Sequence, residues 1–98
     1  MTRYRIYKCT LWDISESSPL TGGILLPTGA TPASVEEQDG SIVLYVKVPH
    51  EVATNERWGV KIVGTGHTFE DDGSWKFIGT VKLLNGKLMF HVFLRNYK

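Results

Sequence analysis

Residues 75–94 run WKFIGTVKLLNGKLMFHVFL. Two stretches rich in β-branched and aromatic side chains flank Asn85-Gly86, a pair favoured in two-residue hairpin turns because both central positions need a positive φ. The spacing predicts strands over 75–84 and 87–94. Leu84 then faces Lys87, Leu83 faces Leu88, Lys82 faces Met89, Val81 faces Phe90 and Thr80 faces His91. One face collects Phe77, Val81, Leu83, Leu88, Phe90, Val92 and Leu94 and reads as core, where each large side chain is worth about 1.5–3 kcal/mol. The other face mixes Ile78, Thr80, Lys82, Leu84, Met89, His91 and Phe93. Two readings of it are open: a subunit or ligand surface, with Ile78, Met89 and Phe93 as interface side chains, or a face covered by a second sheet or loop.

Working upstream, Trp58–Val63 is a further strand with Trp58, Val60 and Ile62 facing in, and 64–74 is a loop. Residues 50–57 (HEVATNER) read as a polar connection with room for one helical turn. Asp39-Gly40 is a second hairpin turn between 33–37 and 42–48, with Gln38 opposite Ser41, Glu37 opposite Ile42, Val35 opposite Leu44 and Ala33 opposite Val46. Ile24–Leu26 is a short apolar segment stopped by Pro27, and 13–23 is a Ser/Pro/Gly-rich loop. Tyr4–Trp12 is a first strand whose imperfect alternation calls for burial on both faces or a bulge. No stretch of ten residues carries helical apolar spacing with caps. The expected fold is all-β: a small antiparallel sandwich or partly open barrel of about six strands with two tight hairpins. It forms a single domain, with 24–94 as its centre and 1–23 as a strand-plus-loop extension.

The composition bounds the function. At 98 residues, 42% apolar and 21% charged, the chain is an ordinary globular domain. A net charge of +1 with scattered cations argues against binding long nucleic acid. The nearest basic cluster is Arg3, Arg5, Lys8, Arg95 and Lys98, read as a solvated rim. One cysteine, Cys9, allows no intrachain disulfide and reads as a small buried hydrophobe. There is no secretory leader and no run of about eighteen apolar residues, so a cytoplasmic setting is expected.

Candidate chemistry gathers in one region. Gly64-Thr65-Gly66-His67 leaves a strand directly, and glycines beside a polar residue let backbone N–H groups form a nest for phosphate or carboxylate. No Gly-Lys-Ser/Thr follows, so this is not a nucleotide-triphosphate loop. Gly79-Thr80 repeats the Gly-Thr pair, and a glycine inside a strand marks a close approach. If the Gly64 loop lies over Gly79, then Thr65, His67, Thr80 and His91 share a pocket with Trp75 as a stacking wall. Zinc normally takes roughly three or four protein ligands, which these histidines do not supply. Glu70-Asp71-Asp72-Gly73-Ser74 lacks the spacing of a calcium loop. No metal, cofactor or catalytic residue is assigned; the hydrolytic alternative pairs His67 with Glu70 or Asp71.

Leu26-Pro27-Thr28-Gly29-Ala30, the Val35…Asp39-Gly40…Leu44 hairpin, Val63-Gly64-Thr65-Gly66-His67, Phe77-Ile78-Gly79-Thr80-Val81 and Met89-Phe90-His91-Val92-Phe93 follow in order. This pattern is similar to a small β-domain family of unknown function found mainly in phages and prophages. The resemblance spans roughly residues 24–93, with GTGH, IGT and HVF its most specific parts. The chain departs from it by the front segment and by the acidic insertion before Trp75. The resemblance implies a compact β-fold and a phage setting, and carries no functional residue. The expectation is a non-enzymatic phage-type binding protein, homo-oligomeric, that counters host antiviral defence by sequestering a nucleotide-like signal. In that site Gly64, Thr65, Gly66, His67, Trp75, Gly79, Thr80 and His91 bind the ligand. The alternatives are occlusion of a host defence protein, a small hydrolase using His67, and a structural virion component.

Overall fold

The computed structural model describes residues 2–13 and 23–97. The expected loop over 13–23 and Lys98 of the basic rim therefore lie largely or wholly outside the described residues. Among the described residues there are seven antiparallel strands: β1 (Tyr4–Asp13), β2 (Ile24–Pro27), β3 (Thr31–Gln38), β4 (Ser41–Pro49), β5 (Asn55–Gly64), β6 (Lys76–Leu83) and β7 (Leu88–Asn96). They form a three-stranded sheet, β1-β4-β3, and a four-stranded sheet, β2-β5-β7-β6. The fold of the described residues is thus all-β, a small sandwich of two sheets that do not close into a barrel.

The strand beyond the expected six is β2. Ile24–Pro27 is too short to be a strand by its own pattern, and it becomes one by pairing with Trp58–Asn55. For the same reason Asn55–Arg57 are extended strand rather than part of a polar connection with a helical turn.

Both tight turns form. Asp39 and Gly40 have φ of 51° and 83°, and Gln38 faces Ser41, Glu37 faces Ile42 and Val35 faces Leu44. A bulge between Pro32 and Ser34 then shifts the register, so Pro32, not Ala33, faces Val46. In the second hairpin Leu83 faces Leu88, Val81 faces Phe90 and Thr80 faces His91. The turn winds through three left-handed residues, Leu84, Asn85 and Gly86, at φ of 52°, 56° and 85°.

A bulge between Phe77 and Gly79 reverses the faces below it. Phe77, expected in the core, is 53% exposed, and Ile78, expected on the mixed face, packs against the core. Leu88, also expected inside, is 38% exposed at the hairpin tip. In β1 a bulge between Thr10 and Trp12 turns both Leu11 and Trp12 toward the interior, which accounts for the broken alternation.

The core lies between the sheets. Leu11, Val35, Ile42, Leu44, Val46 and Val48 of one sheet meet Leu26, Val60, Val81, Leu83, Val92 and Leu94 of the other, all buried. Trp12 packs edge-on to Phe90 at 4.9 Å. The sheets approach most tightly where β3 meets β6: a Cβ on Gly79 would stand 2.9 Å from Val35 Cγ2. On the outside of the smaller sheet Lys8 Nζ donates to Gln38 Oε1 at 3.1 Å. That bond crosses the outer face of β4, where Val43 is buried although it faces outward.

Candidate functional site

The outer face of the larger sheet carries the candidate residues. Strand β7 lies between β5 and β6, and its His91 sits in one cross-strand row with Val63 and Thr80. Thr80 Oγ1 lies 3.0 Å from His91 Nδ1, and Thr65 Oγ1 lies 2.8 Å from His91 Nε2. A neutral imidazole donates from one nitrogen and accepts at the other, so it can bond both hydroxyls at once.

Thr65 reaches the ring because the chain turns sharply on leaving β5. His67 N–H donates to Gly64 O at 3.1 Å, and Gly66, at φ 87°, takes the left-handed place of a type II turn. Thr65 N–H donates to Met89 O at 3.3 Å and ties the turn to β7. At Gly64 the His67 ring lies 3.2 Å from where a Cβ would stand, a tight approach that the exposed ring would have to ease.

The chain then runs back over the sheet and is pinned along its length. Phe69 packs on Phe93 with centroids 4.9 Å apart, and Lys61 Nζ donates to the Glu70 carbonyl. Asp71 Oδ1 accepts from Gly73 N–H at 2.8 Å, and Asp72 Oδ1 accepts from Ser74 N–H at 2.9 Å. Arg95 donates to Ser74 Oγ at 2.8 Å and to Asp72 at 3.4 Å. The Ser74 hydroxyl and N–H, with a smaller contribution from Arg95, hold the Asp72 carboxyl below the usual carboxylate range. Trp75 ends the loop across Gly59, between Lys61 Nζ at 4.6 Å and Arg95 Cζ at 4.7 Å from its ring. Of the mixed face, the protein's own loop covers Phe93 and meets His91, while Thr80, Lys82, Leu84 and Met89 stay exposed.

Of the residues singled out from the sequence, Gly64, Thr65, Gly66, His67, Thr80 and His91 do meet. Trp75 does not join them. It lies at the Gly59–Arg95 row, four residues along the strands from the Val63–His91 row, or about 13 Å. Gly79 does not face the Gly64 loop, since the side its missing Cβ would occupy is closed by Val35. Among the interface candidates, Ile78 turns to the core, Phe93 lies beneath Phe69, and Met89 remains 36% exposed.

Lys61 and Phe69 were not singled out, and Arg95, read only as part of a basic rim, instead bonds Ser74 and Asp72; the parity of β5 and β7 already sets Lys61 and Arg95 on the outer face with Phe93. Among the described residues no acid is hydrogen-bonded to His67, and no three His, Cys, Asp or Glu side chains gather as metal ligands. Cys9 is half-buried beside a cleft of about 450 Å³ between β1 and β2, and burial pushes its thiol above the ordinary value. No helix among the described residues is long and apolar enough to cross a membrane.

Residues 4–98 match the family described as "Domain of unknown function (DUF7352)", and the chain belongs to that family. The match takes in β1, so the front strand is part of the family's domain and not an addition to it. No curated protein and no solved structure matches the chain.

Proposed function

We propose that this member of a family without an assigned activity is a phage-type binding protein that counters host antiviral defence by covering a surface of a host defence protein. One observation carries the choice of target. Most of the groups that would hold a phosphate are engaged within the chain: Thr65 N–H on Met89, His67 N–H on Gly64, and the His91 ring between two threonines, which leaves the Gly66 N–H of this turn. What they hold is the loop 65–75, fixed to the sheet as recognition loops are fixed to rigid scaffolds. The loop presents Phe69, Glu70 and Asp71 to solvent, beside exposed Phe77 on the sheet. An apolar patch with an acidic rim complements a partner surface of apolar and basic residues.

Sequestration of a nucleotide-like signal is the second reading. It is favoured by the two cations, Lys61 and Arg95, against Trp75, a pairing of charge and aromatic face that suits an anion joined to a ring. The exposed Leu84, Leu88 and Met89 of the hairpin tip would serve a homo-oligomer. The working place in each case is the host cytoplasm.

Affinity capture from defence-active bacteria separates the two. Protein occlusion predicts a captured protein that is lost with Phe69→Asp or Phe77→Asp and kept with Thr80→Ala. Native mass spectrometry showing a released nucleotide, with no loss of protein partner on those substitutions, would replace it with the sequestering reading.

A further inference from the structure

We infer that Thr65 is an activated nucleophile, with His91 as its general base and Thr80 as the residue positioning that base, able to take an acyl group from an activated ester. This goes beyond the binding reading and stands or falls independently of it. A nucleophilic hydroxyl is recognised by a base within hydrogen-bond reach and by a third group that orients the base. Thr65 Oγ1 at 2.8 Å from Nε2 and Thr80 Oγ1 at 3.0 Å from Nδ1 supply both relations on one imidazole. With Nδ1–H donating to Thr80, Nε2 is the acceptor for the Thr65 proton.

The surroundings agree with this role. His91 sits on the central strand of the three that it joins, so the base is held by the sheet and not by a loop. Thr65 is exposed at a turn whose next residue, Gly66, has open space on its Cβ side. The N–H of Gly66, unlike those of Thr65 and His67, is bonded to no described residue. The N–H following a nucleophile is the usual first donor to an oxyanion. His67 lies against Gly64 and is not part of the relay.

In the acylation step Thr65 Oγ bonds the ester carbonyl carbon while its proton passes to His91 Nε2. The carbon–oxygen bond to the leaving group then breaks, and the leaving oxygen takes that proton. Water completes the cycle. It attacks the acyl carbon as Nε2 accepts its proton, the bond to Thr65 Oγ breaks, and Thr65 is reprotonated.

The test uses the full chain with p-nitrophenyl acetate, following release of p-nitrophenolate and locating the acetyl group by peptide mass spectrometry. The expected result is acetyl on Thr65 and a rate that falls about a hundredfold or more in Thr65→Ala and His91→Gln. Thr65→Ser, which retains a hydroxyl, turns over faster than Thr65→Ala. Thr80→Val lowers kcat at unchanged KM and moves the midpoint of the pH–rate profile, whereas Thr80→Ser keeps both. Urea midpoints check that each variant is folded; were His91→Gln unfolded, the Thr65 pair would still decide. Acetyl found only on lysines, or Thr65→Ala turning over as fast as the native chain, overturns the inference.

Discussion

Gly79→Ala tests how tightly the two sheets are joined where β3 meets β6. The added methyl would stand 2.9 Å from Val35 Cγ2, closer than carbon atoms approach without something moving. Val35 is 6% exposed and branched at Cβ, so it has no flexible end to swing aside. Overpacking of this kind costs about 1–3 kcal/mol. Removing a glycine from the unfolded chain returns about 0.4–1 kcal/mol. The net destabilisation is therefore about 1–2 kcal/mol, which at an m-value of about 1 kcal/mol/M lowers the urea midpoint by about 1–2 M.

Val35→Ala alone removes two buried methyl groups and leaves a void, at about 2–3 kcal/mol. In Val35→Ala/Gly79→Ala the new methyl enters the space the valine vacated. The double variant should be less destabilised than the sum of the singles by about 1 kcal/mol or more. Urea unfolding of the four proteins closes the cycle. A neutral Gly79→Ala, or singles that add, would refute the reasoning by showing that this approach is not a packing constraint.

Three further outcomes are expected. Gly59→Ala sets a methyl 2.6 Å from Tyr97 Oη and 2.8 Å from Trp75 Cη2, so Trp75 should leave its seat and the tryptophan emission shift to the red; an unchanged spectrum would refute it. Leu84 holds φ 52° while 58% exposed. Leu84→Gly should therefore raise stability by about 0.5–1 kcal/mol, the strain of about 1–2 kcal/mol less the entropy glycine adds to the unfolded chain; a lower urea midpoint would count against this. Asp72 has a folded pKa lowered first by Ser74, so its contribution is present above the unfolded value and lost as pH falls through the folded one. Hydrogen exchange at the Ser74 N–H, corrected for its intrinsic pH dependence, should lose protection in acid, and Asp72→Asn should remove that pH dependence; an unchanged acid response in the variant would point elsewhere.

The two hairpins were legible because Asp39-Gly40 and Asn85-Gly86 state their turn chemistry locally and fix register outward from it. That register held until the first bulge. Nothing in Phe77-Ile78-Gly79 announces that Ile78 takes the extra place, because the bulge answers to the tight contact of Gly79 with Val35 across the sandwich. The exchange of Phe77 and Ile78 between faces follows from that one residue. Asn55–Arg57 escaped for a related reason, since these polar residues become strand only by meeting β2. In the candidate site, the meeting of Thr80 with His91 followed from the turn and that of Thr65 with them from the glycines. The displacement of Trp75 depends on where the loop is pinned, by Lys61 and Arg95 on strands far away in sequence.

The place of β7 has a consequence for how the protein is made. It is the last of the seven strands in the chain, yet it lies between β5 and β6. On the ribosome β1, β3 and β4 can assemble as soon as they emerge. Strands β2 and β5 can at most pair with each other, and β6 has no strand to hydrogen-bond with until β7 arrives. The apolar faces of Val60, Val81 and Leu83 thus stay uncovered through most of synthesis, and closure of the sandwich comes late and over long sequence separations. Chains halted before residue 88 should be captured by chaperones or degraded, while chains that include β7 should close in a single cooperative step.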